Sequence, residues 1–159
     1  MKIALPTLIA AVAVAAIAFT IPAATMEGHT TVPPQQIKWA PAPDMLPPGA
    51  EAAVLFGDPS KEGLFVLRLR FPAGYSVAPH RHPVYEVVTV ISGTFSVGMG
   101  ETADPRKAQP LPAGSFHALP PGMAHYVSME EETVIQISTR GPWGLTYVNP
   151  KDDPRQKSQ

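Results

Sequence analysis

The sequence predicts an all-β fold, either a sandwich of two sheets or a closed barrel. The chain has 159 residues, a length that suits one domain. Its twenty prolines and twelve glycines interrupt the chain often and disfavour long helices. Between these breaks lie about eight short segments, several of which alternate apolar and polar residues. Short strands separated by turn residues are typical of β-sandwiches and β-barrels.

The N-terminal residues 1–25 differ in composition from the rest of the chain. Lys2 is the only charged residue before Glu27, and Ile3–Phe19 is rich in Ala, Val and Ile. A basic start, an apolar centre and the small residues that end at Ala24 and Thr25 predict a secretory signal peptide cleaved near that point. The alternative is an uncleaved membrane anchor, because a span needs about 17–25 apolar residues. In either case we expect a periplasmic or secreted location for the folded part.

Residues 26–50 predict an extended arm rather than a helix, because proline removes a backbone donor and fixes φ. The prolines of this segment are Pro33, Pro34, Pro41, Pro43, Pro47 and Pro48. Ile37 and Trp39 are apolar enough to dock on the domain, so a docked arm and a plain linker both remain open. At the other end, residues 149–159 are charged and contain prolines, which predicts a loose polar tail.

Residues 51–148 contain the predicted β-domain. Its clearest strand is Leu64–Phe71, in which four apolar residues alternate with Val66, Arg68 and Arg70. The other predicted strands are Ala53–Gly57, Val84–Ile91, Thr94–Val97, Phe116–Leu119, His125–Met129, Thr133–Ser138 and Leu145–Val148. Ser92 and Gly93 predict a hairpin turn. Gly98–Gln109 is polar and predicts a loop.

Composition excludes several kinds of function. The formal net charge is −1 and the charges are mixed along the chain, so no basic stripe indicates binding to nucleic acid. Cysteine is absent, which excludes disulfides, thiolate nucleophiles and cysteine–zinc sites.

One segment contains two imidazoles and a carboxylate within seven residues. It reads Gly74-x5-His80-x-His82-x3-Glu86-x6-Gly93. If this segment is one strand, His80, His82 and Glu86 face the same side, because residues an even number apart share a face. They could then bind one metal ion. The downstream segment Gly114-x5-Pro120-x-Gly122-x2-His125 offers a fourth ligand.

Together, these two segments resemble the two signature motifs of the cupin superfamily. The first segment matches each fixed position, and the second matches the Gly, Pro, Gly and His but has Met129 where the family usually has Asn. The resemblance covers roughly residues 50–148. It implies a double-stranded β-helix, or jelly-roll barrel, with His80, His82, Glu86 and His125 as metal ligands. It also implies a homodimer, since cupins are commonly dimers.

Three imidazoles and one carboxylate make a mixed nitrogen and oxygen site. Such a site suits one divalent transition metal ion (Fe, Mn, Ni, Cu or Zn) rather than Ca or Mg, which prefer oxygen ligands alone. Four protein ligands leave an octahedral ion with open positions for water, substrate or dioxygen, as a catalytic site requires. We therefore expect a small molecule as the binding partner.

The resemblance leaves two classes of function open. The first is a small metal-dependent enzyme of the oxygenase type, whose catalytic residues beyond the ligands are not identifiable. The second is a non-catalytic module that binds a small ligand or a metal. The run from Gly141 to Arg155 resembles small bacterial cupin-domain proteins of unassigned role. Gln136 is a predicted pocket residue, and His117 is either a neighbour of the ligands or an ordinary strand residue.

Overall fold

The computed structural model describes residues 28–156, which form two antiparallel β-sheets. The predicted signal peptide, residues 1–25, lies outside the described residues. The strands are β1 (Ala40–Pro41), β2 (Glu51–Phe56), β3 (Gly63–Phe71), β4 (Tyr75–Arg81), β5 (Glu86–Ser92), β6 (Thr94–Met99), β7 (Gln109–Pro112), β8 (Phe116–Leu119), β9 (His125–Met129), β10 (Thr133–Gly141) and β11 (Thr146–Tyr147). Short 3-10 helices cover Pro34–Gln36, Pro105–Lys107, Pro150–Asp152 and Pro154–Gln156. Within residues 28–156, no helix has the length and apolar character needed to cross a membrane.

Each of the two sheets places strands from distant parts of the chain side by side. One sheet has the order β1-β2-β3-β10-β5-β8 and the other β11-β4-β9-β6-β7. The longest ladder joins β3 to β10, from the pair Phe71 and Thr133 to the pair Gly63 and Gly141. Because consecutive strands often lie in different sheets, the segments between them cross from one sheet to the other. One such crossing, between β4 and β5, contains one of the predicted ligands, His82.

The core lies between the sheets and follows from the alternation of side chains along the strands. On β3, Phe65, Leu67, Leu69 and Phe71 are buried, while the residues between them are half-buried or exposed. The facing residues of β5, β6, β9 and β10 complete one apolar cluster. Burial of apolar surface on this scale is the main stabilising contribution to such a fold. These features confirm the all-β, double-sheet fold predicted from the sequence.

The proline-rich arm packs against the domain. Leu46 is buried in the core, and the hydroxyl groups of Tyr75 and Tyr147 donate hydrogen bonds to the carbonyl oxygens of Pro47 and Met45. The guanidinium of Arg70 also lies 4.5 Å from the centre of the Trp39 ring, which is a cation–π contact. The arm therefore forms part of the wall of the barrel.

Strand β7 was not predicted, because Pro110 and Pro112 make its sequence resemble a turn. It pairs with β6 at the edge of the five-stranded sheet. Proline is tolerated there, because one side of an edge strand needs no backbone donor. The hairpin turn before β6 is where it was predicted, at Ser92 and Gly93.

Gly93 is a glycine at which we expect substitution to be costly. Its φ of +72° lies in the left-handed region, and an added Cβ would lie 2.5 Å from the carbonyl oxygen of Glu132 and 2.9 Å from Cα of Thr133. Gly114 has a φ of +88° but no neighbouring atom within 4 Å of such a Cβ. Backbone strain alone costs about 1–3 kcal/mol. In urea unfolding, we expect Gly93→Ala to lose clearly more stability than Gly114→Ala, and equal losses would contradict the predicted clash.

Candidate metal centre

The four predicted ligands come together between the two sheets. His80 lies on β4 and pairs in register with His125 on the neighbouring strand β9. Glu86 is the first residue of β5, in the opposite sheet, and His82 lies in the connection between β4 and β5. All four side chains are buried, with relative exposures of 1–5%. We refer to these four residues as the ligand cluster.

The prediction that His80, His82 and Glu86 share one strand face was wrong, although the three side chains do converge. The chain bends at Pro83 and Val84, so β4 ends at Arg81 and β5 begins at Glu86 in the other sheet. Proline favours such a break because it has no N–H for the ladder. The cluster is therefore assembled by a crossing between the sheets.

A β-bulge in β4 aims His80 into the barrel. The pairing of β4 with β9 changes register between Val77 and His80. These two residues are an odd number apart, yet both line the same internal cavity. An extra residue in one strand reverses the alternation of side chains beyond it, and bulges are frequent beside functional sites. Without the bulge, Pro79 rather than His80 would occupy the inward position.

The three imidazoles are close enough to bind a single ion. One ring nitrogen from each of His80, His82 and His125 lies within 4.8 Å of the other two. The carboxylate of Glu86 completes the cluster. Its Oε1 is 3.4 Å from Nε2 of His82, and its Oε2 is 3.0 Å from Nε2 of His125. The arrangement brings together three nitrogen donors and one carboxylate.

Backbone carbonyls fix the tautomer of each imidazole. The Nδ1 atom of His80 lies 2.8 Å from the oxygen of Ala78, and that of His125 lies 3.2 Å from the oxygen of Met123. The Nδ1 atom of His82 lies 2.6 Å from the oxygen of Gly144. A carbonyl oxygen can only accept, so Nδ1 carries the hydrogen in each ring. In the neutral ring, each Nε2 is then left with a lone pair, which is the form that binds a metal.

The buried polar atoms of the cluster fit a cation. The Nε2 atoms of His82 and His125 and the Oε2 atom of Glu86 are buried and have no hydrogen-bond partner among residues 28–156. With hydrogens on Nδ1, Nε2 of His125 and Oε2 of Glu86 are two acceptors 3.0 Å apart. Such a pair repels unless a positive charge lies between the atoms, and leaving buried acceptors unpaired is costly. Neutral imidazoles and a carboxylate are the donors that a divalent transition ion accepts.

The electrostatics of the cluster favour the protonation states that metal binding requires. Burial, together with the neighbouring His125 and His82, lowers the pKa of His80 from 6.5 to about 3. Burial also lowers the pKa of His82. For Glu86, burial alone would raise the pKa, but the nearby imidazoles of His125, His82 and His80 lower it to about 2. At neutral pH, His80 and His82 are therefore neutral and the carboxylate is ionised.

These shifts predict that the metal-free protein loses stability in acid. Between the folded and ordinary pKa values, about 3 to 6.5 for His80 and 2 to 4.5 for Glu86, the unfolded chain binds more protons than the folded one. The free energy of unfolding therefore falls as the pH falls below about 6.5. For His80 alone, the loss by pH 4.5 is on the order of 2–3 kcal/mol, because each pKa unit corresponds to about 1.4 kcal/mol.

Urea midpoints of chelator-treated protein at pH 7.5 and pH 4.5 test this prediction. His80→Gln is the control, because it removes the imidazole and should flatten the pH dependence. A wild-type midpoint that stays constant over this range would contradict the prediction.

Trp143 and Gly144 hold His82 in place from a distant part of the sequence. The indole of Trp143 stacks on the imidazole of His82, with ring centres 5.5 Å apart and planes 12° from parallel. The oxygen of Gly144 accepts the hydrogen of His82 Nδ1. The backbone N–H of Trp143 donates to the oxygen of Pro59 at 2.7 Å, which anchors this segment. Nothing local to Trp143 in the sequence indicates its contact with His82.

The internal cavity beside the cluster is small and almost entirely apolar. Its volume is about 20 Å³. Apart from His80, His82 and Glu86, the residues that line it are Leu46, Leu69, Phe71, Val77, Phe95, Val127, Ile135, Trp143 and Leu145. A water molecule needs at least ~10–15 Å³ of such volume. The cavity therefore admits one molecule of about the size of water or dioxygen.

Gln136 is not a pocket residue, which corrects the prediction. It lies on the outward face of β10, between the inward residues Ile135 and Ile137, and its Oε1 accepts a hydrogen bond of 3.1 Å from Arg68. Its polar side chain is paired outside the barrel, so alternation along the strand explains its position.

His117 lies on β8 and pairs in register with Val88 on β5, the strand that begins at Glu86. Its Nε2 is buried, and within residues 28–156 it has no hydrogen-bond partner. Burial lowers its pKa, and the neighbouring His125 acts in the same direction, while the Glu86 carboxylate opposes the shift. It is therefore a neighbour of the ligand cluster and does not belong to the convergent set of three imidazoles.

Comparison with known sequences identifies one family and one curated relative. Residues 26–145 match the family described as Domain of unknown function (DUF4437). The chain is also similar to germin-like protein subfamily 2 member 1 of Arabidopsis thaliana, with 37% identity over 65 residues. That alignment covers 40% of this chain and 30% of the relative, so it spans less than a third of the relative's length.

Comparison with solved structures shows the fold that this chain shares. The polyketide cyclase RemF from Streptomyces resistomycificus aligns over 82% of this chain and 93% of its own, with a TM-score of 0.66 and 14% identity. An RmlC-like cupin from Shewanella frigidimarina aligns over 70% and 89%, with a TM-score of 0.55 and 17% identity. Salicylate 1,2-dioxygenase from Pseudoaminobacter salicylatoxidans aligns over 62% and 29%, with a TM-score of 0.51 and 17% identity. At these identities the likeness concerns the fold alone.

Proposed function

Because this chain belongs to the DUF4437 family and to the cupin superfamily, we propose that it is a metal-dependent enzyme of the oxygenase type that acts on a small molecule. The observation that carries the proposal is the convergence of three imidazole nitrogens within 4.8 Å of one another, with the Glu86 carboxylate beside them. In the proposal, His80, His82, Glu86 and His125 hold one divalent transition metal ion.

The cavity beside the cluster supports the oxygenase type. A bound transition metal would supply Lewis acidity and, if it is redox-active, one-electron chemistry with dioxygen. The apolar walls keep bulk water away from the ligands, which strengthens electrostatic interactions inside the site. The volume of about 20 Å³ suits a diatomic gas. A structural neighbour is named as a dioxygenase, which agrees with this type of reaction.

The groups that surround the ligand cluster hold its imidazole rings in position. The carbonyls of Ala78, Met123 and Gly144 orient the three imidazoles, and the Trp143 ring packs on His82. Partners of this kind fix ring orientation and raise ligand basicity. Of the described residues that line the cavity, only the cluster itself and the Trp143 N–H carry polar groups. We therefore assign no separate general base.

That lack of a separate base favours a second candidate, a non-catalytic module that binds a metal or a small ligand. Metal analysis by emission spectroscopy and oxygen uptake with catechols, flavonols, β-diketones and thiols distinguish the two candidates. A stoichiometric redox metal with uptake on one of these substrates supports the enzyme. A tightly bound metal with no turnover on the whole panel supports the module. Protein purified without chelators that contains no metal contradicts the enzyme and a metal-binding module, and leaves only a module that binds a small ligand.

The proposal also places the folded domain outside the cytoplasm, on the basis of the signal peptide predicted in residues 1–25. N-terminal sequencing of protein from the extracytoplasmic fraction should begin near Thr25 or Met26. A chain that begins at Met1 in the membrane fraction would instead indicate the uncleaved anchor. The homodimer that the family resemblance implies is tested by light scattering on the same protein.

A further inference from the structure

The internal cavity is too small for an organic substrate. Its volume of about 20 Å³ compares with roughly 300–1,000 Å³ for typical small-molecule sites. An organic substrate of the proposed enzyme must therefore bind elsewhere first, or displace part of the wall.

A groove large enough for an organic substrate lies on the other side of the wall that encloses the internal cavity. Its volume is about 470 Å³, and its lining comes from the N-terminal arm, from β2, from β3 and from the loop that contains Pro59 and Ser60. The lining is mainly apolar and includes Ala40, Met45 and Val54. Val54 is 52% exposed, so apolar surface in this groove faces solvent. Concave, mainly apolar surfaces of this volume are typical of small-molecule binding sites.

Trp143 separates the groove from the ligand cluster. Among residues 28–156, it is the one residue that lines both the groove and the internal cavity. Its indole stacks on His82 on one side and packs against Phe65 at 6.5 Å. Its Nε1 is buried and has no hydrogen-bond partner in the described part of the chain. A buried indole N–H normally has an acceptor, so this donor can serve a ligand.

The lining also indicates the chemistry of the ligand. Of the residues that the structure describes, Lys38 is the only charged one that lines the groove. It is exposed, and it provides a positive charge beside an otherwise apolar surface. A carboxylate would complement Lys38 and could accept from Nε1 of Trp143, while an apolar body would cover Val54 and Met45.

We propose that this groove binds the substrate, an apolar small molecule with one carboxylate, and that the substrate reaches the ligand cluster by displacing the indole of Trp143. The proposal rests on the proposed enzyme function, because it assigns the groove to the same site. It specifies the class of ligand and assigns a role to Trp143 in the cavity wall. Neither assignment depends on which metal is bound.

Isothermal titration of the mature chain with adamantane-1-carboxylate tests the proposal. We expect saturable binding, and weaker binding of 1-adamantylamine, which has the same apolar body with the opposite charge. Ala40→Phe should fill the groove and weaken carboxylate binding at least about ten-fold, since a ten-fold loss corresponds to about 1.4 kcal/mol. The matched control is Ala118→Phe, an equal change at an exposed position on β8 outside the groove. Absence of saturable binding by the wild type, or equal affinities in Ala40→Phe and the control, overturns the proposal.

Trp143→Phe separates the role of the indole N–H from that of the ring. Loss of one hydrogen bond should weaken carboxylate binding about three- to ten-fold. Unchanged affinity overturns the assignment of Nε1.

In a Trp39→Phe background, Trp143 is the single tryptophan, so its emission should change when the probe binds. Metal content is measured for every variant. Probe binding that follows these expectations in protein without metal would refute the proposed enzyme while supporting the groove.

Discussion

His82→Ala is expected to reduce metal affinity by at least about 100-fold while leaving a folded β-protein. His82 supplies one of three convergent imidazole nitrogens, and its ring is held by the oxygen of Gly144 and the indole of Trp143. Structural zinc sites with four ligands bind with about 10–16 kcal/mol, so one ligand is worth roughly 3 kcal/mol. Metal content after dialysis, together with far-ultraviolet circular dichroism, measures both parts of the prediction.

His29→Ala is the matched control for this experiment. His29 is exposed, and its Nε2 lies 2.9 Å from the hydroxyl of Thr31, in the N-terminal arm. Its removal should leave metal content unchanged. Equal metal content in the His82→Ala and wild-type proteins would refute the assignment of His82 as a ligand.

Phe65→Ala is expected to cost about 3–5 kcal/mol of unfolding free energy. Phe65 is fully buried, and its ring packs against that of Trp143 at 6.5 Å. Removing a large aromatic side chain loses its burial and leaves a cavity. A protein with a total stability of about 5–15 kcal/mol would lose a large part of it. Urea unfolding of the metal-free protein measures the difference.

Phe116→Ala provides the comparison for Phe65, because the same side chain is 66% exposed on β8. Its removal should change stability by no more than about 0.5 kcal/mol. If the two variants had similar stabilities, the assignment of Phe65 to the core would be wrong.

The strands that could be predicted are those whose pattern is local. Alternation along Leu64–Phe71 predicted β3 within one residue, and the Ser92 and Gly93 turn was predicted directly. Strand β7 was missed because its prolines look like a turn, and only pairing with β6 makes it a strand. The predicted strand Val84–Ile91 begins directly after Pro83, but the even spacing of His80, His82 and Glu86 still indicated one shared strand face, which was wrong.

The candidate site was predicted by residue identity rather than by geometry. The motifs singled out His80, His82 and His125, which the structure brings within reach of one ion. How they converge depends on the bulge in β4 and on a crossing between sheets. The contacts of His82 with Trp143 and Gly144 join residues about 60 positions apart, so no local pattern could reveal them.

The position of a bound ion tests the central claim most directly. Crystals of the metal-loaded protein should be measured at the absorption edge of the metal identified by emission spectroscopy. The account predicts a single anomalous peak about 2.0–2.2 Å from the Nε2 atoms of His80, His82 and His125 and from a carboxylate oxygen of Glu86. A peak bound to other residues, or no peak between the two sheets in metal-loaded protein, would contradict it.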